Sequence, residues 1–280
     1  MIIKKHKNKN KYILNDKIYV RDFTDDYPLP IDLNEFANEQ DKDIFINNEM
    51  NNFSKRYPEF EINSYEKIII VNSGYKFKEK HLALNEVKND TCIIAVNNSL
   101  KDWQLLTRIS NMNRIINYYL VNNPYKECMD YLPSNHAYYP KCIASTRTNS
   151  EFINSYKGNK FLYCPTSNYN FSSLFNYKMK IDDYRNAICA GLDISYKFKA
   201  LKIFLFCCDD SFEKEKPGCL KLNNGLYCYP QQLISERIIG NMCYWLKNKK
   251  IEIYNYSSGG AINNTIDLKS DDEFLNAISN

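Results

Sequence analysis

A chain of 280 residues, 44% hydrophobic and 14% aromatic, carries enough apolar material for one large α/β domain or for a core domain with an appendage. Its net charge of +4 is mild, and much of the excess sits in the opening MIIKKHKNKNKY, a basic arm read as a solvated terminus although such arms also touch nucleic acid or anionic lipid. No stretch approaches the roughly 18 consecutive apolar residues of a membrane-spanning helix, and no apolar run of about 7–15 residues comes after the basic start, so neither a span nor a secretory leader is expected.

Residues 1–62 differ from the rest of the chain. YILNDKIYV (12–20) predicts a short hairpin around Asn15-Asp16, and the next stretch reads as loop and a polar helix. Its apolar content is thin, so it is assigned to an N-terminal extension, with residues 63–280 as the main domain. From about residue 65 short apolar runs recur at 68–71, 92–96, 118–121, 142–145, 161–164, 203–208 and 251–256. They are continuous and not alternating, as in strands covered on both faces. Between them, Trp103, Leu106, Ile109, Met112 and Ile116 follow a helical spacing, and a second helical stretch runs over 230–250, opened by Pro230 and closed by lysines. The alternation predicts an α/β fold: a Rossmann-like, mostly parallel sheet flanked by helices, with a short N-terminal extension.

The ten cysteines include no Cys-x-x-Cys, and five of them lie in strand-like runs where Cys acts as a small buried hydrophobe. Free thiols in a cytoplasmic protein are expected; Cys219 and Cys228 are a weak metal candidate without a second pair. The three histidines, His6, His81 and His136, stand beside none of the strand ends, which argues against a His-based triad. There is no Gly-x-Gly-x-x-Gly after the first core strand and no Gly-Lys-Ser/Thr.

In an open parallel sheet, ligands bind beyond the carboxyl ends of the strands. Those ends carry Asn72-Ser73-Gly74, Asn97-Asn98-Ser99, Asn122-Asn123-Pro124, Asp209-Asp210-Ser211 and Ser257-Ser258-Gly259-Gly260. Such residues are ordinary turn formers, and they also suit neutral hydrogen bonding to a base, a ribose or a phosphate. The chain holds just eight glycines, and Gly259-Gly260 is their one tandem, able to bring backbone N–H groups close to an anion. Asp209-Asp210 reads either as a Mg²⁺-holding pair or as turn and cap residues.

Taken in order, IIIVNSGYKF, CIIAVNNSLKDW, LVNNPYKE, AICAGLDISYKFKALKIFLFCCDDSF and YPQQLISERIIGNMCYWLKNKKIEIYNYSSGGAI resemble a group of Rossmann-like enzymes. These are the bacterial lipo-oligosaccharide sialyltransferases, the motility-associated flagellin glycosyltransferases and the 6-hydroxymethylpterin diphosphokinase-like proteins. The resemblance covers about residues 65–265. It implies a nucleotide donor, a cytidine nucleotide sugar in the sialyltransferases, held by Asn72, Ser73, Gly74, Asn97 and Asn123, with Gly191 of the Ala190-Gly191 step at the central helix and Ser258, Gly259 and Gly260 at the last loop. It also implies Asp209 as a catalytic residue. Where the sialyltransferases place a catalytic His, this chain has Tyr227, Tyr229, Gln231 and Gln232. A tyrosine hydroxyl, with an ordinary pKa of about 10, is a poor general base at neutral pH. Tyr227 and Tyr229 are therefore read as hydrogen-bond partners of a departing phosphate, with Tyr229 the one taken as a site residue. The leading expectation is a nucleotide-sugar-dependent glycosyltransferase whose acceptor the sequence does not specify. The alternatives are a diphosphokinase-like enzyme using ATP and Mg²⁺, and a non-catalytic nucleotide-binding protein.

Overall fold

The structure is a computed structural model that describes residues 4–5, 11–14, 17–20, 39–55, 57–58, 60, 62–110, 115–133, 138–166, 179–184, 186–209, 211–222, 225–257 and 262–280. Near the N-terminus, β1 (Lys4–Lys5), β2 (Lys11–Leu14) and β3 (Lys17–Val20) form an antiparallel sheet, with Leu14 opposite Lys17 as the hairpin reading requires. Helix α1 (Glu39–Phe53) comes after them. Next are β4 (Lys67–Val71), α2 (Phe77–Lys80), β5 (Cys92–Val96), α3 (Ser99–Ser110), β6 (Tyr118–Val121), β7 (Lys141–Ser145), α4 (Ser150–Ser155), β8 (Lys160–Pro165), β9 (Lys180–Ile181) and α5 (Ala187–Lys197). The chain continues through β10 (Lys202–Phe206), the two-stranded β11 (Leu220–Lys221) and β12 (Tyr227–Cys228), α6 (Pro230–Asn248), β13 (Glu252–Tyr256), β14 (Ile266–Asp267) and α7 (Asp271–Ser279).

Among the described residues nine strands make one sheet, in the order β14-β13-β10-β4-β5-β6-β7-β8-β9, and every pairing in it is parallel. The expected Rossmann-like α/β architecture is present. Continuous apolar runs make strands here because both faces are covered. Ile68 and Ile70 pack with α5 and α6, while Ile69 and Val71 pack with Trp103, Phe152 and Phe274 on the other side. All four are fully buried, each contributing about 1.5–3 kcal/mol by leaving water.

Two boundaries differ from the sequence expectation. The run 203–208 yields a strand only to Phe206, because Cys207 takes a left-handed backbone (φ 50°) that turns the chain off the sheet. The helical cadence does not reach Ile116: the described part of α3 covers Ser99–Ser110, residues 111–114 lie outside the described residues, and Tyr118 already belongs to β6. Ile116 keeps the apolar spacing because it is buried at the foot of that strand. Met112 lies outside the described residues.

Helix α1 falls within the stretch assigned to the extension, yet it docks on the loop after β7. The contact is polar. Asn52 Nδ2 donates to the Thr146 and Thr148 carbonyls (2.9 and 2.8 Å), and Asn48 Nδ2 to Pro124 and Arg147 (2.9 and 3.1 Å). Glu49 Oε1 accepts from Arg147 Nε at 3.0 Å, with the two side chains 1% and 5% exposed. Burial pushes the Glu49 carboxyl upward and Arg147 opposes it. Removing one member of such a pair leaves a buried charge alone. Glu49→Ala should therefore cost about 3–5 kcal/mol in urea denaturation, and Glu49→Met with Arg147→Met together should cost far less. A double variant as unstable as the single one would show that the ion pair itself stabilises the docking.

Candidate functional site

The chain runs outward from β4 through β5 to β9, then returns by way of α5 to place β10 on the other side of β4. Strand order reverses between β4 and β10; in open parallel sheets a ligand crevice forms at such a reversal, outside the carboxyl ends of the strands. The two strands are in register from Lys67–Lys202 to Val71–Phe206. The ladder then continues past both, with Asn72 N–H donating to Phe206 O and Gly74 N–H to Cys207 O, each at 3.0 Å. A Cβ on Gly74 would sit inside the contact distance of the Asp209 and Cys207 carbonyl oxygens and 2.9 Å from Asp209 Oδ1. Gly74 is thus required by the chain itself, at the closest approach of the two loops.

Several residues singled out from the sequence meet along this edge. Asn72, Ser73 and Gly74, all half-buried, come directly after β4. Asn97, in a left-handed turn (φ 46°), comes after the neighbouring β5, and its Oδ1 accepts from Asn122 N–H at 3.5 Å. Ser99 Oγ donates to Val71 O (2.9 Å) and Val96 O (2.7 Å), tying β4 to β5. On the other side, Ser257 Oγ accepts from Cys208 N–H at 3.0 Å. Asp209 is fully buried, and its Oδ2 accepts from Ser211 Oγ at 2.9 Å. Phe212 packs on Tyr229 at 5.3 Å between ring centroids, which brings the first turn of α6 to the same end of the sheet. Gln232 Oε1 caps the Tyr229 N–H at 2.8 Å.

Two of the sequence candidates have other partners. Asn123 gives its amide to Tyr131 OH (3.0 Å), and its carbonyl oxygen accepts from Tyr125 N–H (2.9 Å). Gly191 lies within α5, where a Cβ would meet Ile70 at 3.1–3.4 Å; its small size serves helix-on-strand packing. Ser258, Gly259 and Gly260 lie outside the described residues, as does Asp210. Among the described residues no group of three or more His, Cys, Asp and Glu is placed to hold a metal ion. No described helix is long and apolar enough to cross a membrane. None of the ten cysteines is in a disulfide, and nine of them are buried.

The sequence reading missed Asn186, which caps α5 by accepting from Ile188 and Cys189 N–H (2.7 and 3.2 Å) and bonds Ser235 of α6. An Asn just ahead of an apolar periodic run is the signal for it. It also missed the far half of the edge, where Asp182 and Asp183 come after β9. Asp183 accepts from Tyr163 OH at 2.9 Å, and Asp182 accepts from Thr166 while its N–H donates to Asp193 Oδ2 at 3.0 Å. A cleft of about 520 Å³ opens at the opposite, amino-terminal edge between Tyr57, Phe60, Lys141 and Phe161. It touches none of the sequence candidates, and the ammonium of Lys160 beside it donates to Tyr156 O at 2.9 Å.

No protein-family model and no curated protein matches this sequence. Among solved structures, the chain is similar to the MAf glycosyltransferase from Magnetospirillum magneticum AMB-1, with a TM-score of 0.62 and 13% identity over 85% of this chain. The likeness is one of fold. The chain spans 41% of that protein's length, less than half. It supports the glycosyltransferase-like fold named from the sequence and gives no support to the diphosphokinase-like relatives.

The Asp182 carboxyl offers a pH test of this edge. Burial first, and then the charge of Asp193, push it up to about 7. The unfolded chain titrates near the ordinary value of about 3.9. A raised carboxyl pKa stabilises the fold fully below that value, and the contribution is lost as pH rises through about 7. Melting temperature should therefore fall for the parent relative to Asp182→Asn between about pH 4 and about pH 7. Parallel profiles for the two proteins would show that Asp182 titrates as an ordinary aspartate.

Proposed function

We propose that this chain is a glycosyltransferase that takes its sugar from a nucleotide-activated donor, a cytidine nucleotide sugar among the candidates, at the β4/β10 crevice. One observation carries the reading: the strand order reverses where the Asn72–Gly74 turn meets Asp209, the position at which an open parallel sheet binds a ligand. The similarity of fold to a glycosyltransferase supports it.

In this reading Asn72, Ser73 and Asn97 offer neutral hydrogen bonds to the nucleotide, and Ser258, Gly259 and Gly260 complete its anion contacts. Gly74, Gly191 and Asn123 shape the crevice through the packing and bonds described above. The acceptor's hydroxyl oxygen attacks the sugar's anomeric carbon. The bond from that carbon to the donor phosphate oxygen breaks, and its electron pair leaves with the nucleotide. Tyr229 donates a hydrogen bond to the departing phosphate. The hydroxyl proton passes to Asp209, which requires this buried side chain to become accessible as substrates enter.

The test begins with a panel of nucleotides and nucleotide sugars in thermal shift, where a ligand at about 100 times its Kd adds about 2.7 kcal/mol. Asp209→Asn should then lower kcat about 10²–10⁴-fold, the usual contribution of general-base catalysis, with donor affinity little changed. A parent that binds no nucleotide would sink the assignment. Unaltered turnover in the variant would remove Asp209 from the chemistry.

A further inference from the structure

Lys80, the last residue of α2, was not among the residues the sequence singled out. Its side chain is half-buried, and its Nζ stands 3.8 Å from the centre of the Tyr256 ring, at the end of β13. That ring is itself fixed: it stacks on Phe274 (4.9 Å, 13° between planes), and its hydroxyl bonds Asp271. Lys80 has no such closure. Among the described residues no carboxylate lies within 4.0 Å of its ammonium, and no oxygen accepts from it. Burial holds this ammonium below the ordinary lysine range, while Cys207, Asp209 and Asp271 act in the opposite sense. Tyr256 places it. The Tyr256 carbonyl accepts from Cys207 N–H at 3.2 Å, and the Cys207 carbonyl accepts from Gly74 N–H, so Lys80 lies beside the β4/β10 joint.

A half-buried ammonium over an aromatic face keeps part of its charge compensated by the ring, and its N–H donors have no protein acceptor among the described residues. Other half-buried lysines do have one: Lys67 donates to Ile278 O (2.8 Å), Lys160 to Tyr156 O (2.9 Å), and Lys197 pairs with Asp193 (3.4 Å). An ammonium whose donors no protein oxygen takes, beside the strand-order reversal of an open parallel sheet, suits an anion that arrives with its own oxygens.

We propose that Lys80 is the phosphate-binding residue of the β4/β10 crevice, its ammonium donating to a phosphate oxygen of a bound nucleotide. The inference rests on the nucleotide-donor reading above for the identity of the ligand, but not for the presence of an anion site. Its consequence is a split between nucleotide and nucleoside. Lys80 contributes to the binding of the former and nothing to that of the latter.

Calorimetry with Lys80→Met and Lys80→Arg tests it, using CMP, the nucleoside cytidine and pyrophosphate as probes. For the parent, CMP should bind more tightly than cytidine. Lys80→Met removes one charge-assisted bond and should weaken CMP and pyrophosphate about tenfold or more while leaving cytidine unchanged. Lys80→Arg keeps a charged donor and should restore binding to within about threefold. The melting temperature of Lys80→Met should be no lower than the parent's, because a side chain with only a packing role would lower it on replacement. Pyrophosphate binding that depends on Lys80 without any nucleotide binding would support the anion site and overturn the nucleotide reading. Equal CMP affinity in parent and Lys80→Met, equal losses for CMP and cytidine, or a parent that binds neither CMP nor pyrophosphate would each overturn the proposal.

Discussion

The parallel pairing of β4 with β10 is the contact on which the rest of this molecule depends. Five residue pairs from Lys67–Lys202 to Val71–Phe206 join two segments more than a hundred residues apart in sequence. Everything between them must leave on one side of β4 and come back on the other. Helix α5 makes that return across β4, β5 and β6, and Gly191 lets it lie close by leaving Ile70 the space a Cβ would take. The pairing also runs on beyond the strands through the N–H groups of Asn72 and Gly74. That extension is possible only because Cys207 adopts a left-handed backbone and position 74 has no side chain. The crevice is therefore a consequence of the sheet's central joint, with its rim fixed by backbone bonds.

The carboxyl edge is built in two ways. Around β13, β10, β4 and β5 it carries small polar residues and Lys80. Around β7, β8 and β9 it is filled by buried charge: Glu49 with Arg147, Asp193 with Lys197, and the Asp183 carboxylate under Tyr163 OH. A paired buried charge contributes little net stability against an apolar substitute, but it penalises any other arrangement heavily. The far half thus holds the loops after β7 and β9 and docks α1.

Much of the sheet was legible because its strands are covered on both faces, so Ile68–Val71, Cys92–Val96 and Tyr118–Val121 had to be apolar at every position. What escaped the sequence escaped for physical reasons. Helix α1 buries Asn48, Glu49 and Asn52, so its docking face has no apolar stripe to reveal it. The strands β9 and β14 are two residues each, too short for any periodicity, and are recruited by neighbours already in place. Cys207 and Cys208 read as strand because they are apolar and buried, and side-chain burial says nothing about a left-handed φ. At the site, the turn residues Asn72, Gly74 and Asn97 were visible from their strand-end positions. Lys80 was not, because one lysine in GYKFKEK looks like its neighbours until the fold sets it over Tyr256.

The contrast between Arg147 and Lys80 shows two uses of buried charge in this chain. Arg147 meets Glu49 at 3.0 Å, and that local structure is closed by its own contacts. Lys80 meets a ring face and, among the described residues, no acceptor oxygen. An anion that supplies acceptors there gains the interaction without displacing a protein partner, whereas an anion at Arg147 would have to expel Glu49 first. The same logic fixes polarity along the crevice. Asp209 has its carboxylate held by Ser211, so of these two charges Lys80 is the one that the proposal assigns to a phosphate and Asp209 the one that it assigns to the acceptor hydroxyl. Orientation in this site follows from which charges the fold has satisfied and which it has left to the ligand.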